Sequence, residues 1–245
     1  MKKLFFIFIV LFFSCNIYAK ECVRPIIFPL LSKPLNDKGQ EYDNYDWRAP
    51  HGLNQAGYES YRIRSSTSKN IVKKTFHVSR DLYTDVYNDN GNYGLLKSKN
   101  YVVSVSEGQV LEVEYFYAGT YKVTVSHTTC DGRKFLIRYG EMDPNSIEVK
   151  VGDKVKQGQV LGRPGFLSKK DKNNNKIPID VIADKVVFML HLEYFKNNQL
   201  TKEPLSTAFS NNRYDRREDI ADSLEILEEG FESNGKIIGL THSLA

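Results

Sequence analysis

Four runs of β-branched and aromatic residues in the middle of the chain constrain its fold more than any other feature. They lie at 101–106, 110–117, 121–126 and 134–139. Such side chains favour extended backbone, and the segments between the runs contain glycine, which suits tight turns. The pattern predicts an all-β fold built from strands joined by turns. A later run, Val186 to Phe195, predicts a strand that carries His191 between apolar neighbours.

A glycine-rich segment at 149–162 follows the four runs. Its glycines recur every few residues among short alternations of valine and lysine, which predicts tight corners between short strands of a small barrel or sandwich. A carrier barrel of the lipoyl type is an alternative interpretation. Such domains display a lysine at a hairpin tip, whereas Lys154 and Lys156 alternate along the predicted strands.

The segment from Met1 to Ala19 has the features of a secretory signal peptide. Lys2 and Lys3 precede an apolar run from Leu4 to Phe13, which is too short for a bilayer span of roughly 20 residues. We expect cleavage after Ala19, a location in the periplasm or cell envelope, and no stable membrane span. Lipidation at Cys15 is the alternative, although the residues before it are a poor context for lipid attachment.

Charge and length bound the partners and the domain organisation. The chain has a formal net charge of +4, and loss of Lys2 and Lys3 with the signal peptide leaves +2. A value so near neutral argues against nucleic acid as a partner. No internal repeat divides the remainder, so we expect one core domain at 70–200. An irregular extension at 20–69 would precede it, and a C-terminal helix and tail at 201–245 would follow.

Two of the three cysteines, Cys22 and Cys130, would remain after removal of the signal peptide. In an oxidising compartment two such cysteines most often pair. We expect a disulfide that ties the N-terminal segment to the turn at Asp131 and Gly132. Two unpaired thiols are the alternative.

The C-terminal part contains a helical pattern from Tyr214 to Glu229. Ile220, Leu224 and Leu227 are spaced at four and three residues, which predicts one amphipathic helix. The charged run at 215–219 would form its solvated first turn.

A polar insertion from Ser168 to Lys185 separates the glycine-rich segment from the His191 strand. Asp171, Asn173 and Asn175 alternate as the ligands of a calcium loop do. However, lysine at 176 and isoleucine at 182 replace the glycine and the bidentate glutamate that such a loop requires. We therefore predict solvated surface rather than a calcium site.

His77, Asp81 and His191 are the candidate metal ligands. His77 and Asp81 are four residues apart, and His191 would approach them from a distant strand. Two imidazoles and one carboxylate suit zinc, and three protein ligands leave a fourth position for water. A lone histidine on a strand is more often structural, and we interpret His127 as a surface or structural residue rather than a ligand.

The order of these motifs resembles the lysostaphin-type, or LytM-like, zinc endopeptidases of bacterial cell walls over about residues 60–200. The resemblance is carried by His77-x-x-x-Asp81, by Gly-Asp-Lys-Val-Lys-Gln-Gly-Gln-Val-Leu-Gly at 152–162 and by Leu190-His191-Leu192-Glu193. It implies a twisted antiparallel sheet with a small barrel-sandwich. It also implies zinc held by His77, Asp81 and His191, and peptidoglycan as the substrate.

The chain departs from the family pattern at two positions that matter for catalysis. Met189 occupies the first position of the usual His-x-His, and Glu141 replaces the histidine of the usual Tyr-x-His-Leu. Methionine cannot relay a proton, but a glutamate serves as the base in other zinc peptidases. We predict that Glu141 accepts the proton from water. Methionine and glutamate together at these two positions resemble a variant subgroup of the family. A surface carboxylate paired with Arg138 or Lys134 is the alternative.

Two functions follow from the resemblance and its departures. The first is a secreted zinc endopeptidase that cleaves the peptide cross-links of peptidoglycan. The second is a catalytically impaired module that binds the cell wall or regulates another hydrolase, and it would need a regulatory protein partner. The loss of both histidines motivates the second function.

Overall fold

The chain folds into an antiparallel β domain with one C-terminal helix. The computed structural model describes residues 22–31, 58, 61–66, 71–88, 93–179, 181–182, 185–200 and 217–234, so the predicted signal peptide and Cys15 lie outside the described residues. Among the described residues, no helix has the length and apolar character that crossing a bilayer requires. The prediction of an all-β fold is confirmed.

Fourteen strands and one helix make up the described fold. In chain order the strands are β1 Tyr61–Ser66, β2 Ile71–Phe76, β3 Arg80–Asn88, β4 Val102–Val103, β5 Gly108–Tyr115, β6 Tyr121–Thr128, β7 Lys134–Met142, β8 Lys154–Val155, β9 Val160–Gly162, β10 Ser168–Lys170, β11 Lys176–Pro178, β12 Val181–Ile182, β13 Lys185–Phe195 and β14 Ile220–Ala221. The helix, α1, spans Leu224–Asn234.

The main sheet has eight strands, and β13 is the strand that organises it. Its order is β12-β13-β7-β6-β5-β8, with β3 and β14 also paired to β13. All its pairings are antiparallel, and β13 contacts β3 along one edge and β7 along the other. Residues close to the middle of β13 therefore face side chains from both neighbours.

The two faces of the main sheet have different compositions because side chains alternate along a strand. One face carries Ile137, Tyr139 and Leu192, which belong to the main hydrophobic cluster. The other face carries Arg138, Gly140 and His191 at the intervening positions, with Gly140 opposite His191. Alternation thus separates the apolar core from the polar groups of the candidate site.

The N-terminal extension is more ordered than predicted. Ile26, Phe28 and Leu30 are fully buried in the main cluster, and β1 forms a hairpin with β2. The prediction of an irregular segment is therefore wrong for β1, since a short polar strand is stabilised by its neighbour rather than by its own pattern. The domain boundaries near 70 and 200 stay predictions.

Cys22 and Cys130 form a disulfide with a Cα–Cα distance of 5.4 Å, within the usual range. The bond links the N-terminal segment to the turn after β6, as predicted. Phe28 also packs edge-on against Phe231 of α1, with ring centroids 5.6 Å apart. The segment is thus held by a covalent bond and by the core.

The C-terminal helix begins ten residues later than predicted. Ile220 lies in β14 and pairs with Phe195 instead of joining the helix. The Asp222 carboxylate accepts a hydrogen bond from the Leu224 amide, so an acidic side chain caps the helix at that point. Arg217, predicted in a solvated first turn, is buried and binds Asp219.

The polar insertion forms the β10–β11 hairpin. The Asp171 carboxylate accepts hydrogen bonds from the backbone amides of Asn173 and Asn175 at the turn, both at 2.8 Å. These bonds stabilise the turn, and Lys169 and Lys170 beside it are exposed.

Candidate metal centre

The candidate metal centre forms where β13 lies between β3 and β7. His191 on β13 is directly opposite Asp81 of β3 in the strand register. His77 follows the end of β2 and reaches the same point from the loop before β3. The fold therefore brings together three predicted ligands that are as many as 114 positions apart in the sequence.

Their ligand atoms converge closely enough to hold one metal ion. Asp81 Oδ1 lies 3.1 Å from His77 Nε2 and 3.0 Å from His191 Nδ1, and one ligand atom from each residue lies within 4.8 Å of the others. All three side chains are buried. Two neutral imidazole nitrogens and one carboxylate oxygen match the donors that zinc accepts.

The charges of the centre strongly perturb the protonation of its groups. Burial alone would raise the pKa of Asp81, but the positive charge and hydrogen bonds of His77 and His191 outweigh it and hold that pKa well below 3.8. Burial alone would lower the pKa of His191, but its hydrogen bonds to the carboxylates of Asp81 and Glu193, with their negative charge, raise it to about 10. The centre thus stabilises positive charge, as a cation site must.

Ser79 lies among the three candidate ligands and was missed from the sequence. Its Oγ is 2.7 Å from His77 Nε2, 2.8 Å from His191 Nδ1 and 3.3 Å from Asp81 Oδ1. Ser79 lies two residues from both His77 and Asp81 in the sequence. This position between two predicted ligands was the only, weak sign that it belongs to the site. A buried hydroxyl at this point can hydrogen-bond to any group that occupies the centre.

Glu141 lies beside the metal centre in an unusual backbone conformation. Its φ of 59° is in the left-handed region, which is uncommon for a residue other than glycine. The side chain is buried, and its Oε1 lies 3.9 Å from His191 Nδ1. The Tyr117 hydroxyl donates a hydrogen bond to the same oxygen. These contacts differ from the surface pairing with Arg138 or Lys134 that was the alternative.

Gly140 lets β7 approach the centre closely. A Cβ at this position would lie 2.9 Å from Phe116 Cε1 and 3.2 Å from His191 Cδ2. The Phe116 ring packs against the His191 ring with centroids 5.2 Å apart. The small residue before Glu141 therefore leaves room for an aromatic wall beside the ligand.

Met189 occupies a buried position two residues before His191. Strand alternation places it on the same face as His191. Its backbone amide donates to the Gly165 carbonyl at 3.1 Å, and the Gly165 amide donates to the Glu141 carbonyl at 2.7 Å. This backbone link joins Met189 to Glu141, the two positions at which the chain departs from the family pattern.

A buried ion pair lies behind His191 and was also missed. His191 Nε2 is 3.1 Å from Glu193 Oε1, and Glu193 Oε2 accepts a hydrogen bond of 3.0 Å from Arg138 Nη1. Glu193 is fully buried. The signal in the sequence was an acidic residue two positions after His191, which puts it on the same face of the strand.

His127 is buried and hydrogen-bonded away from the metal centre, in agreement with the structural role predicted for it. Its Nδ1 lies 3.2 Å from the Ser106 carbonyl oxygen, and its Nε2 lies 3.0 Å from the Tyr139 hydroxyl. Burial lowers the pKa of His127 to about 4, although the two nearby carbonyls oppose this effect.

An all-β domain with a buried His-Asp-His set and a neighbouring glutamate is typical of a metal-dependent hydrolase. Residues 90–199 match the family model for Peptidase family M23. This match confirms the predicted family resemblance. The matched segment contains Glu141 and His191, whereas His77 and Asp81 precede it.

Several solved structures are similar to the chain at low sequence identity. The catalytic domain of the antimicrobial peptidase lysostaphin from Staphylococcus simulans is 19% identical over 70% of this chain and 89% of its own, with a TM-score of 0.39. A zinc-containing peptidase from Vibrio cholerae is 18% identical over 72% of this chain, with a TM-score of 0.37. This chain spans 38% of that second protein. No curated protein sequence matches the chain.

Proposed function

We propose that the protein is a secreted zinc endopeptidase that cleaves peptide cross-links of peptidoglycan in the periplasm or cell envelope. The observation that carries this proposal is the position of Glu141, whose Oε1 lies 3.9 Å from the candidate ligand atom His191 Nδ1. A proton acceptor so placed lies within reach of a water in the fourth position of the centre. The match to the M23 peptidase family supports peptide hydrolysis as the reaction. The signal-peptide pattern at the N-terminus supports the periplasm or cell envelope as the location.

His77, Asp81 and His191 would hold the metal through Nε2, Oδ1 and Nδ1. When bound, zinc supplies a Lewis acid that polarises the scissile carbonyl and makes water acidic enough to lose a proton near neutral pH. The burial of all three ligands excludes bulk water from the centre. Charge interactions inside it are therefore stronger than they would be in solvent.

Glu141 would move the protons of the reaction. As the oxygen of water forms its bond to the carbonyl carbon, the water proton passes to the Glu141 carboxylate. Glu141 then gives this proton to the amide nitrogen as the carbon–nitrogen bond breaks and the amine leaves. The new carboxylic acid loses its remaining proton to solvent. The Tyr117 hydroxyl, hydrogen-bonded to Glu141, would orient the carboxylate toward the centre.

A catalytically impaired module is the second candidate function, and Met189 is the observation that favours it. This buried thioether side chain lies on the same face as His191, where the family pattern has a histidine. A thioether cannot donate a strong hydrogen bond to an oxyanion. In this alternative the centre binds metal, and the protein recognises the cell wall or another hydrolase without cutting.

The test combines metal content with the release of new amines from cell-wall sacculi. We expect purified mature protein to contain about one zinc per chain. Glu141→Gln should reduce amine release by roughly 10²- to 10⁴-fold while the zinc content is unchanged, because only the proton acceptor is lost. Glu148→Gln changes an exposed glutamate and is the matched control.

The outcomes separate the two candidate functions. Full activity of the Glu141→Gln protein would show that another group is the base. Protein with one zinc per chain and no release of amines would favour the impaired module. Digestion of sacculi by the wild-type protein would exclude that module.

A further inference from the structure

A groove opens between two turns and a hairpin of the domain. Its walls come from the turn after Tyr117, the short turn that follows Met142, and the β10–β11 hairpin. The groove has a volume of ≈ 560 Å³, which is within the range of ligand sites in proteins. Ala118 and Asn145 in its wall lie one and four residues after Tyr117 and Glu141 in the sequence.

The groove is positively charged. Lys169, Lys170 and Lys176 line it, and none of the described residues in its lining is acidic. Lys176 is held in place, since its Nζ lies 4.0 Å from the centre of the Phe166 ring. Burial lowers the pKa of Lys176, and the negative charge of nearby Asp143 opposes that effect. A partly buried ammonium group attracts an anion more strongly than a fully solvated one does.

The groove also offers surfaces for an extended peptide. Tyr115 and Ile179 in its lining are 59% and 48% exposed, so an aromatic ring and an aliphatic chain are available to substrate side chains. Asn145 adds an amide that can bond to a peptide backbone. Apolar surface with a few polar and charged groups is typical of a site that selects its ligand.

We infer that this groove binds a carboxylate-bearing segment of the peptide substrate, next to the bond that is cut. The inference rests on the proposed function and adds a charge requirement to it. A peptide fits better than a nucleic acid, because the positive charge is confined to one short groove and the mature chain has a net charge of only +2. Carboxylates on the substrate would form ion pairs with Lys169 and Lys170 at the rim and with Lys176 inside.

The test is binding of a short glutamate-containing peptide to the zinc-loaded protein, compared with the same peptide carrying glutamine. The double variant Lys169→Gln/Lys170→Gln should bind the acidic peptide roughly 3- to 10-fold more weakly, as expected for two largely exposed ion pairs. The glutamine peptide should bind both proteins equally. Lys154→Gln/Lys156→Gln removes the same charge from exposed positions outside the groove and is the matched control.

Two results would overturn the inference. One is an equal loss of binding in both double variants, which would indicate a nonspecific effect of net charge. The other is unchanged binding in the Lys169→Gln/Lys170→Gln protein. Amine release from sacculi separates a failure of the groove inference from a failure of the proposed peptidase function. If the Lys169→Gln/Lys170→Gln protein cut sacculi as well as wild type does, only the groove inference would be rejected. Charge-dependent peptide binding without any cutting would reject the peptidase activity alone.

A second inference comes from the row of polar side chains that crosses the sheet behind His191. Glu193 is opposite Arg138 in the register of β13 and β7, and Arg138 is opposite Thr124 of β6. Arg138 Nη2 lies 3.7 Å from Glu112 Oε2 of β5, and Thr124 donates to the same oxygen at 2.6 Å. The row thus begins beside His191 and spans the four strands β13, β7, β6 and β5.

The stability of the fold alone does not explain the ion pair of Glu193 and Arg138, which lies at the His191 end of this row. Glu193 is 0% exposed and Arg138 is 3% exposed, and a buried ion pair is often no more stable than apolar residues of similar volume. The hydrogen bond to His191 gives the pair a specific task. Because the carboxylate of Glu193 is an acceptor, His191 Nε2 carries a hydrogen, and the proton that a metal ion would displace is the one on Nδ1.

We propose that Glu193 and Arg138 are positioning residues that fix the His191 ring with Nδ1 toward the metal. Arg138 Nη1 donates to the second oxygen of Glu193, so that the first oxygen is directed at Nε2. Outer groups of this kind typically change metal affinity by roughly 10- to 100-fold. The chain therefore would orient this ligand before the metal arrives.

Zinc affinity, measured by competition with a chelator, tests this role independently of activity. Glu193→Leu should weaken zinc binding roughly 10- to 100-fold. Glu193→Gln should recover much of the affinity, because its amide oxygen can still accept from Nε2. The visible absorption of the cobalt-loaded protein should change in the leucine variant and resemble wild type in the glutamine variant. Glu112→Gln, at the far end of the row, is the control and should leave both readouts nearly unchanged.

If Glu193→Leu bound zinc with wild-type affinity and gave the wild-type cobalt spectrum, the positioning role would be wrong. If the leucine variant did not fold, the comparison would use Arg138→Gln, which keeps Glu193 but removes its charged partner. A wild-type affinity and spectrum in that protein would likewise overturn the role.

Discussion

Two buried histidines in the same sheet have opposite properties. His191 on β13 has its pKa raised to about 10, whereas His127 on β6 has its pKa lowered to about 4. Both are almost inaccessible to solvent, so burial disfavours the charged form of each. The difference comes from their partners: His191 contacts the carboxylates of Asp81 and Glu193, but His127 contacts neutral carbonyls and a hydroxyl.

The comparison teaches that burial alone does not define the role of a histidine. The hydrogen bonds of His127 define its tautomer, because carbonyl oxygens only accept and Nδ1 must therefore donate to them. Nε2 then accepts from the Tyr139 hydroxyl, and both ring nitrogens are used within the protein. His191, in contrast, uses Nε2 for Glu193 and keeps Nδ1 among the candidate metal ligands.

The largest effect should come from exchanging the two histidines for other residues in turn. We expect His191→Ala to lose stoichiometric zinc and all amine release, because one of three ligands is removed. His127→Gln should keep about one zinc per chain, although it should lower the free energy of unfolding. Elemental analysis and chemical denaturation check the two expectations. Zinc loss in the His127→Gln protein would contradict the separation between the two sites.

A smaller effect should appear in the dependence of stability on pH. The pKa of His127 is about 4 in the folded protein and ordinarily 6.5, so the unfolded chain binds this proton more readily. The contribution of this group is therefore complete above pH 6.5 and is lost as the pH falls toward 4. It amounts to about 3 kcal/mol by linkage.

Urea denaturation of wild type and His127→Gln in the presence of a chelator would measure that contribution. The wild-type protein should lose more stability between pH 6.5 and 4 than the variant does. Asp81 does not mimic the effect, because its pKa is held below 3.8 and its contribution is lost only at lower pH. Parallel pH profiles for the two proteins would rule out His127 as the cause.

The smallest effect should come from removing the hydroxyl that bonds to His127. Tyr139 Oη also accepts a hydrogen bond of 3.1 Å from the Val105 amide. Tyr139→Phe would leave the His127 Nε2 and this amide without that oxygen, at a cost of roughly 1–3 kcal/mol in unfolding free energy. Guanidinium denaturation would measure the loss, and zinc content should not change. A loss of zinc would mean that the apolar face supports the metal centre more directly than the hydrogen bonds indicate.

The strands were the most predictable part of the fold. The runs at 110–117, 121–126, 134–139 and 186–195 correspond to β5, β6, β7 and β13 within a few residues, because these strands have strong local preferences. The run at 101–106 contains only the two-residue strand β4. The start of α1 was less predictable. Ile220 matches a helical spacing to Leu224, but pairing with Phe195 across the sheet holds it in β14.

The candidate site was likewise predictable only in part. Residue type and spacing suggested His77, Asp81 and His191, and the family resemblance suggested Glu141. The fold brings all four together. Ser79, Tyr117 and Arg138 were not found, because a serine, a tyrosine and an arginine carry no local mark of a site. Their contacts depend on strand register and loop position.

The sequence by itself determined the class of fold, the pair of cysteines and the identity of the candidate ligands, because these follow from local side-chain chemistry and from short motifs. Only the tertiary structure decided which buried histidine faces carboxylates and which faces carbonyls. Alternation places Tyr139 and Gly140, adjacent on β7, on opposite faces of the sheet, and the antiparallel register pairs Gly140 with His191. Tyr139 reaches His127 on the other face. A shift of one residue in that register would exchange the two faces, and the partner strand that completes the pairing is distant in the sequence.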